Sequence, residues 1–183
     1  MTTMKEALFR ALTSVGALFI FRSFYMVVTF HGDDNFTPSQ KYKTAMLEFF
    51  RKLSGGKPLT FLVNYELPFM LFAIDCIKEY KTVNGAKTVF VSPYSKYHYD
   101  KFELEHLFDK FDEVVFSNTN HLHGEFLKGQ CNAHMMRDAD CTVAYIDSDE
   151  SQTHVLCRST IAYGKSVYYL SECGVKEYNF RRE

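Results

Sequence analysis

The stretch from Asn132 to Tyr169 constrains the fold most, because in it the apolar pattern passes from helical to strand period and back. Asn132 to Asp140 reads as the end of a helix. Cys141 to Ile146 is a short, β-rich, continuously apolar run closed by the acidic cluster Asp147-Ser148-Asp149-Glu150. Such a run is what a parallel strand buried on both faces requires, since helices cover both sides of a parallel sheet. A second helical pattern then leads through Gly164-Lys165 into the strand-like Ser166 to Leu170. Ligands of open parallel sheets bind beyond the carboxyl ends of the strands, so Asp147 and its neighbours are the first place to look for a site.

The rest of the chain repeats the alternation. Tyr25 to Phe30, Leu59 to Val63, Lys87 to Val91 and Glu113 to Phe116 are short β-rich runs. After the first, Thr37-Pro38-Ser39 starts a helix whose Ala45, Met46, Phe49, Phe50 and Leu53 share one stripe, and Ser54-Gly55-Gly56 ends it. Asn64 is placed to cap a helix carrying Leu67, Met70, Ile74 and Ile77, with Pro68 in its first turn, where a missing N–H costs little. Leu104, Leu107, Phe108 and Phe111 recur at helical spacing in a third, and a helix from Glu125 to Asp138 follows, with His134 read as structural near an apolar face. Short connections between alternating strands and helices predict an α/β fold, a Rossmann-like three-layer sandwich with a mainly parallel sheet of five or six strands.

That pattern fills residues 24–183 as a single domain and leaves 1–23 as an N-terminal extension. Its apolar run, Ala11 to Phe21, is interrupted by Arg22 short of the roughly 20 residues a spanning helix needs. The expectation is an added helix packed on the domain rather than a membrane anchor, with Met26 as an alternative start. The formal net charge of −1 supplies no global positive field, so nucleic acid is not expected as a partner. The 18 Phe and 12 Tyr point to a Phe-packed core and Tyr-lined surfaces. Cys76, Cys131, Cys141, Cys157 and Cys173 are odd in number and lack metal-ligand spacing; they read as reduced packing thiols of a cytoplasmic protein. Of seven histidines only His121 and His123 are close in sequence, and no third ligand is placed by spacing, so no metal is expected. There is no nucleophile elbow, no Walker-type loop and no dinucleotide glycine fingerprint, and no cofactor is called for.

The pattern Asn132-x-x-Met135-Met136-x-x-Ala139-Asp140, an apolar strand, Asp147 and a helix ending near Gly164-Lys165 resembles the SLOG superfamily of Rossmann-like domains, in its YpsA-like branch, from about Met26 to Leu170. Within that resemblance His31 takes the place of the His after the family's first strand, and Tyr65-Glu66-Leu67 that of its Gly-x-Glu-Leu element. Family members are regarded as binders of nucleotides or nucleotide-derived ligands. The chain departs from the pattern where Thr60 to Glu66 contains no glycine, where Cys131 replaces an Arg, and where Ser148 to Thr153 replaces a Gly-Gly-Thr loop. A phosphate cradle needs glycine and free backbone N–H groups, so the usual mode of phosphate binding is not expected from these stretches.

Successive strand ends deliver polar residues to one edge of a parallel sheet, and the resemblance directs attention to the same positions. The expected ligand-binding set is His31, Gly32, Asp33, Asn64, Tyr65, Glu66, Pro93, Asn118, Asn132, Asp147 and Ser148. Tyr65 and the loop from Tyr94 to Tyr99 supply rings for stacking. The expected activity is binding of a nucleotide or nucleotide-derived small molecule at the carboxyl edge of the sheet, as a sensor or sequestering module, in a homo-oligomer. The enzyme alternative is N-glycoside cleavage similar to that of nucleoside deoxyribosyltransferases or phosphoribohydrolases. In that case Glu66 would be the catalytic carboxylate, because Leu156 to Thr160 lacks one. A degenerate protein-interaction module is the third alternative. Glu66 and Asp147 are expected to flank one crevice, with the first strand between theirs.

Overall fold

A computed structural model describes residues 25–64, 67–116 and 125–178. Its centre is a seven-stranded sheet in the order β4-β3-β2-β1-β5-β6-β7. In chain order the elements are β1 (Met26–Gly32), α1 (Gln40–Ser54), β2 (Leu59–Val63), α2 (Pro68–Lys81), β3 (Ala86–Ser92), α3 (Lys101–Lys110), β4 (Glu113–Phe116), α4 (Glu125–Asp138), β5 (Cys141–Tyr145), α5 (Gln152–Ala162), β6 (Ser166–Ser171) and β7 (Gly174–Glu177). The strands from β1 to β6 pair in parallel and β7 is antiparallel to β6. The chain winds outward from β1 to β4 and then returns to place β5 on the other side of β1. That reversal makes the β1/β5 boundary the topological switch point, where helices leave the sheet on opposite faces.

The two faces differ in chemistry. On one, Phe30 and Phe61 of the central strands meet Phe50 of α1 and Tyr80 of α2, with ring centroids 4.8–6.0 Å apart. Phe111, at the end of α3, stacks on Phe90 of β3 at 5.0 Å. Strand alternation turns Thr29, His31 and Thr142 to the opposite face, beneath α4 and α5, where Ala144 and Val167 pack with Met136 and Cys157. Burial of both faces explains why β1 and β5 read as continuous apolar runs rather than alternating ones.

Local sequence sets the helix ends. The Ser39 side chain caps α1 by accepting from Tyr42 N, and Gly55 ends the helix at φ 50°. Asp100 and Glu103 form a reciprocal capping box on α3, and the Ser151 side chain caps α5. Leu67, not Asn64, is the N-cap residue of α2, with Pro68 at the first helical position. Asn64 is instead drawn into the sheet–helix interface, where a buried amide needs a partner more than an exposed helix end needs a cap.

At the amino ends of the strands two aspartates do the same job. Asp140 donates its N–H to Val27 O and accepts from Val27 N through Oδ2, both at 2.8 Å. Asp112 repeats the two-point clamp on Thr88, at 3.1 and 2.6 Å. Each lies just before a strand and pins it to the start of a neighbour. The Lys165 ammonium donates to Ala139 O at 2.8 Å. Ala139-Asp140 and Gly164-Lys165, which carried much of the family resemblance, therefore build the edge of the sheet opposite to the one where ligands bind.

Four expectations are corrected. A seventh strand, β7, follows a turn at Glu172-Cys173; Lys176 and Glu177 hid it from a search for apolar runs. His134 is exposed on α4, and Phe108 on α3 is 51% exposed although it falls on the helical apolar stripe, because α3 lies over the edge strand β4. Cys173 is exposed in the β6–β7 turn, while the other four cysteines are buried. Among the described residues no helix is long and apolar enough to cross a membrane; residues 1–23 lie outside the described residues.

Candidate functional site

The switch point is built from the ends of β1 and β5. Asp33 N donates to Tyr145 O at 3.1 Å, and Asp147 N donates to Asp33 Oδ2 at 2.7 Å, so one carboxylate ties the two loops together. His31 is 6% exposed, and burial pushes its pKa down to about 4 against the opposing pull of Asp33 and Asp34. It is a neutral imidazole at physiological pH. A Cβ on Gly32 would lie 2.6 Å from Phe69 Cβ, so glycine here admits α2 against β1 and not a ligand. Phe36 fills the space beyond, its ring 5.0 Å from Phe69 and from Phe72 and 4.8 Å from Tyr145. The crevice is thus occupied by the chain's own rings and rimmed by Asp33, Asp34, Asp147, Asp149 and Glu150. Among the described residues no group of His, Cys, Asp and Glu side chains is arranged to hold a metal ion.

Asn64 and Asn132 come together, but on each other. The Asn64 amide donates to Asn132 Oδ1 at 2.8 Å and points at Met135 Sδ at 3.7 Å, with both asparagines buried. Their pairing locks α4 onto the end of β2, a buried polar contact that resists sliding of the helix. Pro93 is buried, and Ser148 is exposed in the loop after β5, where its carbonyl accepts from Ser151 N. Tyr65, Glu66 and Asn118 lie outside the described residues. The parallel pairing of β2, β1 and β5 does put the carboxyl ends of those three strands on one edge, with β1 in the middle.

The open part of that edge is at β3 and β4. Ser92 Oγ accepts from Tyr94 N and donates to Tyr94 O, each at 2.9 Å, and contacts Tyr99 OH at 2.7 Å. One buried hydroxyl thereby folds the loop over Pro93. The Tyr94 and His98 rings stack at 4.2 Å and 16°, and Tyr97 between them in sequence is 96% exposed. Phe102 in the first turn of α3 and Phe126 in that of α4 are also exposed. Tyr99 stays partly buried against Phe116, 5.8 Å away, and burial raises its phenol pKa against the Ser92 hydrogen bond. Cys131 Sγ reaches Val91 O at 3.6 Å, which brings α4 alongside the end of β3.

No family model matches the sequence, and no curated protein is significantly similar to it. Solved structures that share the fold include two of DNA processing protein A. The X-ray structure of DNA processing protein A from Streptococcus pneumoniae superposes with a TM-score of 0.58 at 12% identity, over 79% of this chain and 50% of that one. DNA processing protein A from Helicobacter pylori, described by its single-stranded DNA binding mode, superposes with a TM-score of 0.57 at 12% identity, over 85% of this chain and 68% of that one. The chain is similar in fold to DNA processing protein A. It spans half the length of the Streptococcus protein.

That likeness corrects two expectations. The Helicobacter protein, which shares the fold, is described by its single-stranded DNA binding mode, so net charge near zero was the wrong ground for excluding nucleic acid: charge is a property of the whole chain, whereas a strand meets one local surface. The small nucleotide-derived ligand falls with it. Its expected crevice is filled by Phe36, Phe69 and Tyr145, and the fold neighbours are DNA-processing proteins. Sequence reasoning named the Tyr94–Tyr99 loop as a source of stacking rings without singling out Tyr97 or His98 within it, and it did not name the exposed Phe102 and Phe126. The signal was there in the aromatic spacing Tyr94-Ser-Lys-Tyr97-His98-Tyr99. A groove of about 410 Å³ between α1 and the β6–β7 turn, crossed by the Lys41–Glu172 ion pair, contains none of the expected residues.

Proposed function

We propose that this chain binds single-stranded DNA along the carboxyl edge of its sheet, in a domain spanning residues 24–183. The observation that carries the reading is the exposed Tyr94–Phe102 shelf on a DNA processing protein A-like fold. Single-strand binders combine rings on which bases stack with local cations that track the backbone. Tyr97 and Phe102 are such rings, and Lys96, Lys101 and Lys128 lie on the same loop and the adjoining first turns of α3 and α4. Membership of the SLOG superfamily in its YpsA-like branch belongs to the same proposal, as does a cytoplasmic site of action, for which the free cysteines speak.

The test is fluorescence anisotropy of a labelled oligo(dT) strand of about 20 nucleotides, long enough for several site sizes, against the same length of duplex and a ribo-oligonucleotide. Saturable binding of the DNA strand, weaker for duplex, is the expected result. Flat anisotropy for the strand at protein concentrations of about 100 μM, where even non-specific binding registers, sinks the proposal. Preference for the ribo-oligonucleotide moves it to RNA.

A further inference from the structure

We infer that the strand is held by its bases, stacked on the Tyr94–Phe102 shelf, and not by its phosphates, and that it stays clear of the switch point. This presupposes the single-strand reading above. Two independent observations lead here. The shelf is rich in rings and poor in usable cations: Tyr97 is 96% and Phe102 78% exposed, while the Lys101 ammonium lies 3.7 Å from Glu105. Asp100 and Glu103 stand beside Lys96 and Lys101, their carboxylates engaged in the capping box of α3. Every base has a π face, so exposed rings accept a strand whatever its sequence.

The second observation is the acidic, filled switch point. Phosphodiesters approaching the ends of β1 and β5 would meet Asp33, Asp34, Asp147, Asp149 and Glu150, and find the space behind them taken by Phe36. Like charges repel. In open parallel sheets the switch point is the usual binding place. In this chain the strand is displaced from it toward the β3–β4 side.

The experiment is a salt titration of oligo(dT) affinity together with point variants. A single strand loses affinity with a log–log slope of about −0.7 per phosphate neutralised, so Lys96, Lys101 and Lys128 fully engaged give about −2, whereas a strand held through 6–10 phosphates gives roughly −4 to −7. A slope shallower than about −3 supports the inference and a steeper one overturns it. Tyr97→Ala should weaken binding roughly tenfold with the melting temperature unchanged, and Tyr97→Phe should restore it, because the ring and not the hydroxyl stacks. Asp147→Asn combined with Asp149→Asn should change affinity by less than about threefold, since a strand more than a Debye length away is screened from them. Tightening beyond about tenfold would mean that the backbone crosses the switch point and would overturn the placement. Absence of any strand binding by the wild type defeats the single-strand reading itself; binding that ignores Tyr97→Ala defeats only the base-held mode.

Discussion

Replacing Gly32 by Ala tests whether that glycine serves packing or ligand approach. The added Cβ would lie 2.6 Å from Phe69 Cβ and 2.7 Å from Cγ and Cδ1, where ordinary contact begins at 3.4 Å. A new rotamer can withdraw the ring but not Phe69 Cβ, which rides on the first turn of α2. The helix or the end of β1 must therefore give by most of an ångström, and Phe69, fully buried among Phe36, Phe72 and Tyr145, leaves little room for it. Overpacking of this kind costs roughly 1–3 kcal/mol. The smaller entropy of an unfolded alanine offsets about 0.4–1 kcal/mol of that. The net expectation is a loss of about 1–2 kcal/mol, and a chain of this size loses about 2–4 °C of melting temperature per kcal/mol. Thermal or urea unfolding measures it. Gly129→Ala is the control: nothing lies within 4 Å of its Cβ on the exposed side of α4, so it should stabilise by about 0.5–1 kcal/mol. If Gly32→Ala melts at or above the wild type, the packing argument fails and the site reading of Gly32 regains its basis.

Further outcomes follow from the same geometry. His31 has its pKa lowered by burial from 6.5 to about 4, so below about 6.5 the unfolded chain takes up a proton that the folded chain refuses until about 4. Stability should be whole above pH 6.5 and fall by about 3 kcal/mol as the pH drops to about 4, and urea unfolding of His31→Gln should lack that slope. Burial pushes the thiols of Cys76, Cys141 and Cys157 up to about 12 and Cys131 is also enclosed, so a chromogenic disulfide reagent should titrate Cys173 alone in the native protein, and none in Cys173→Ser. Asp140→Ala leaves the Val27 N–H without its acceptor and should cost about 1–3 kcal/mol in chemical unfolding, with Asp140→Asn milder because its amide oxygen still accepts.

Much of the fold was legible along the chain. Leu59–Val63, Glu113–Phe116 and Glu125–Asp138 coincide with the runs read from the sequence, because an apolar period and a flanking turn act over a few neighbouring residues. β7 was not legible: half of it is charged, and it forms only because Ser171 and a glycine at φ 118° turn the chain back onto β6. The site was legible only as an edge. A list of polar residues at strand ends cannot tell an amide that awaits a ligand from one already bonded, and Asn64 and Asn132 are of the second kind.

The sequence by itself determined the layers: which runs are strands, which are helices, and that the strands are buried on both faces. It could do so because burial period is a local property. Tertiary structure alone decided which polar and aromatic residues remain open to a partner. Asn64 finds Asn132 across 68 positions and Asp147 finds Asp33 across 114, while Phe36 enters the space between Tyr145 at the end of β5 and Phe69 and Phe72 of α2. Tyr97 stays in solvent because no such partner reaches it from elsewhere among the described residues, and contact between segments so far apart is set by the packing of the whole sheet and not by any stretch within it.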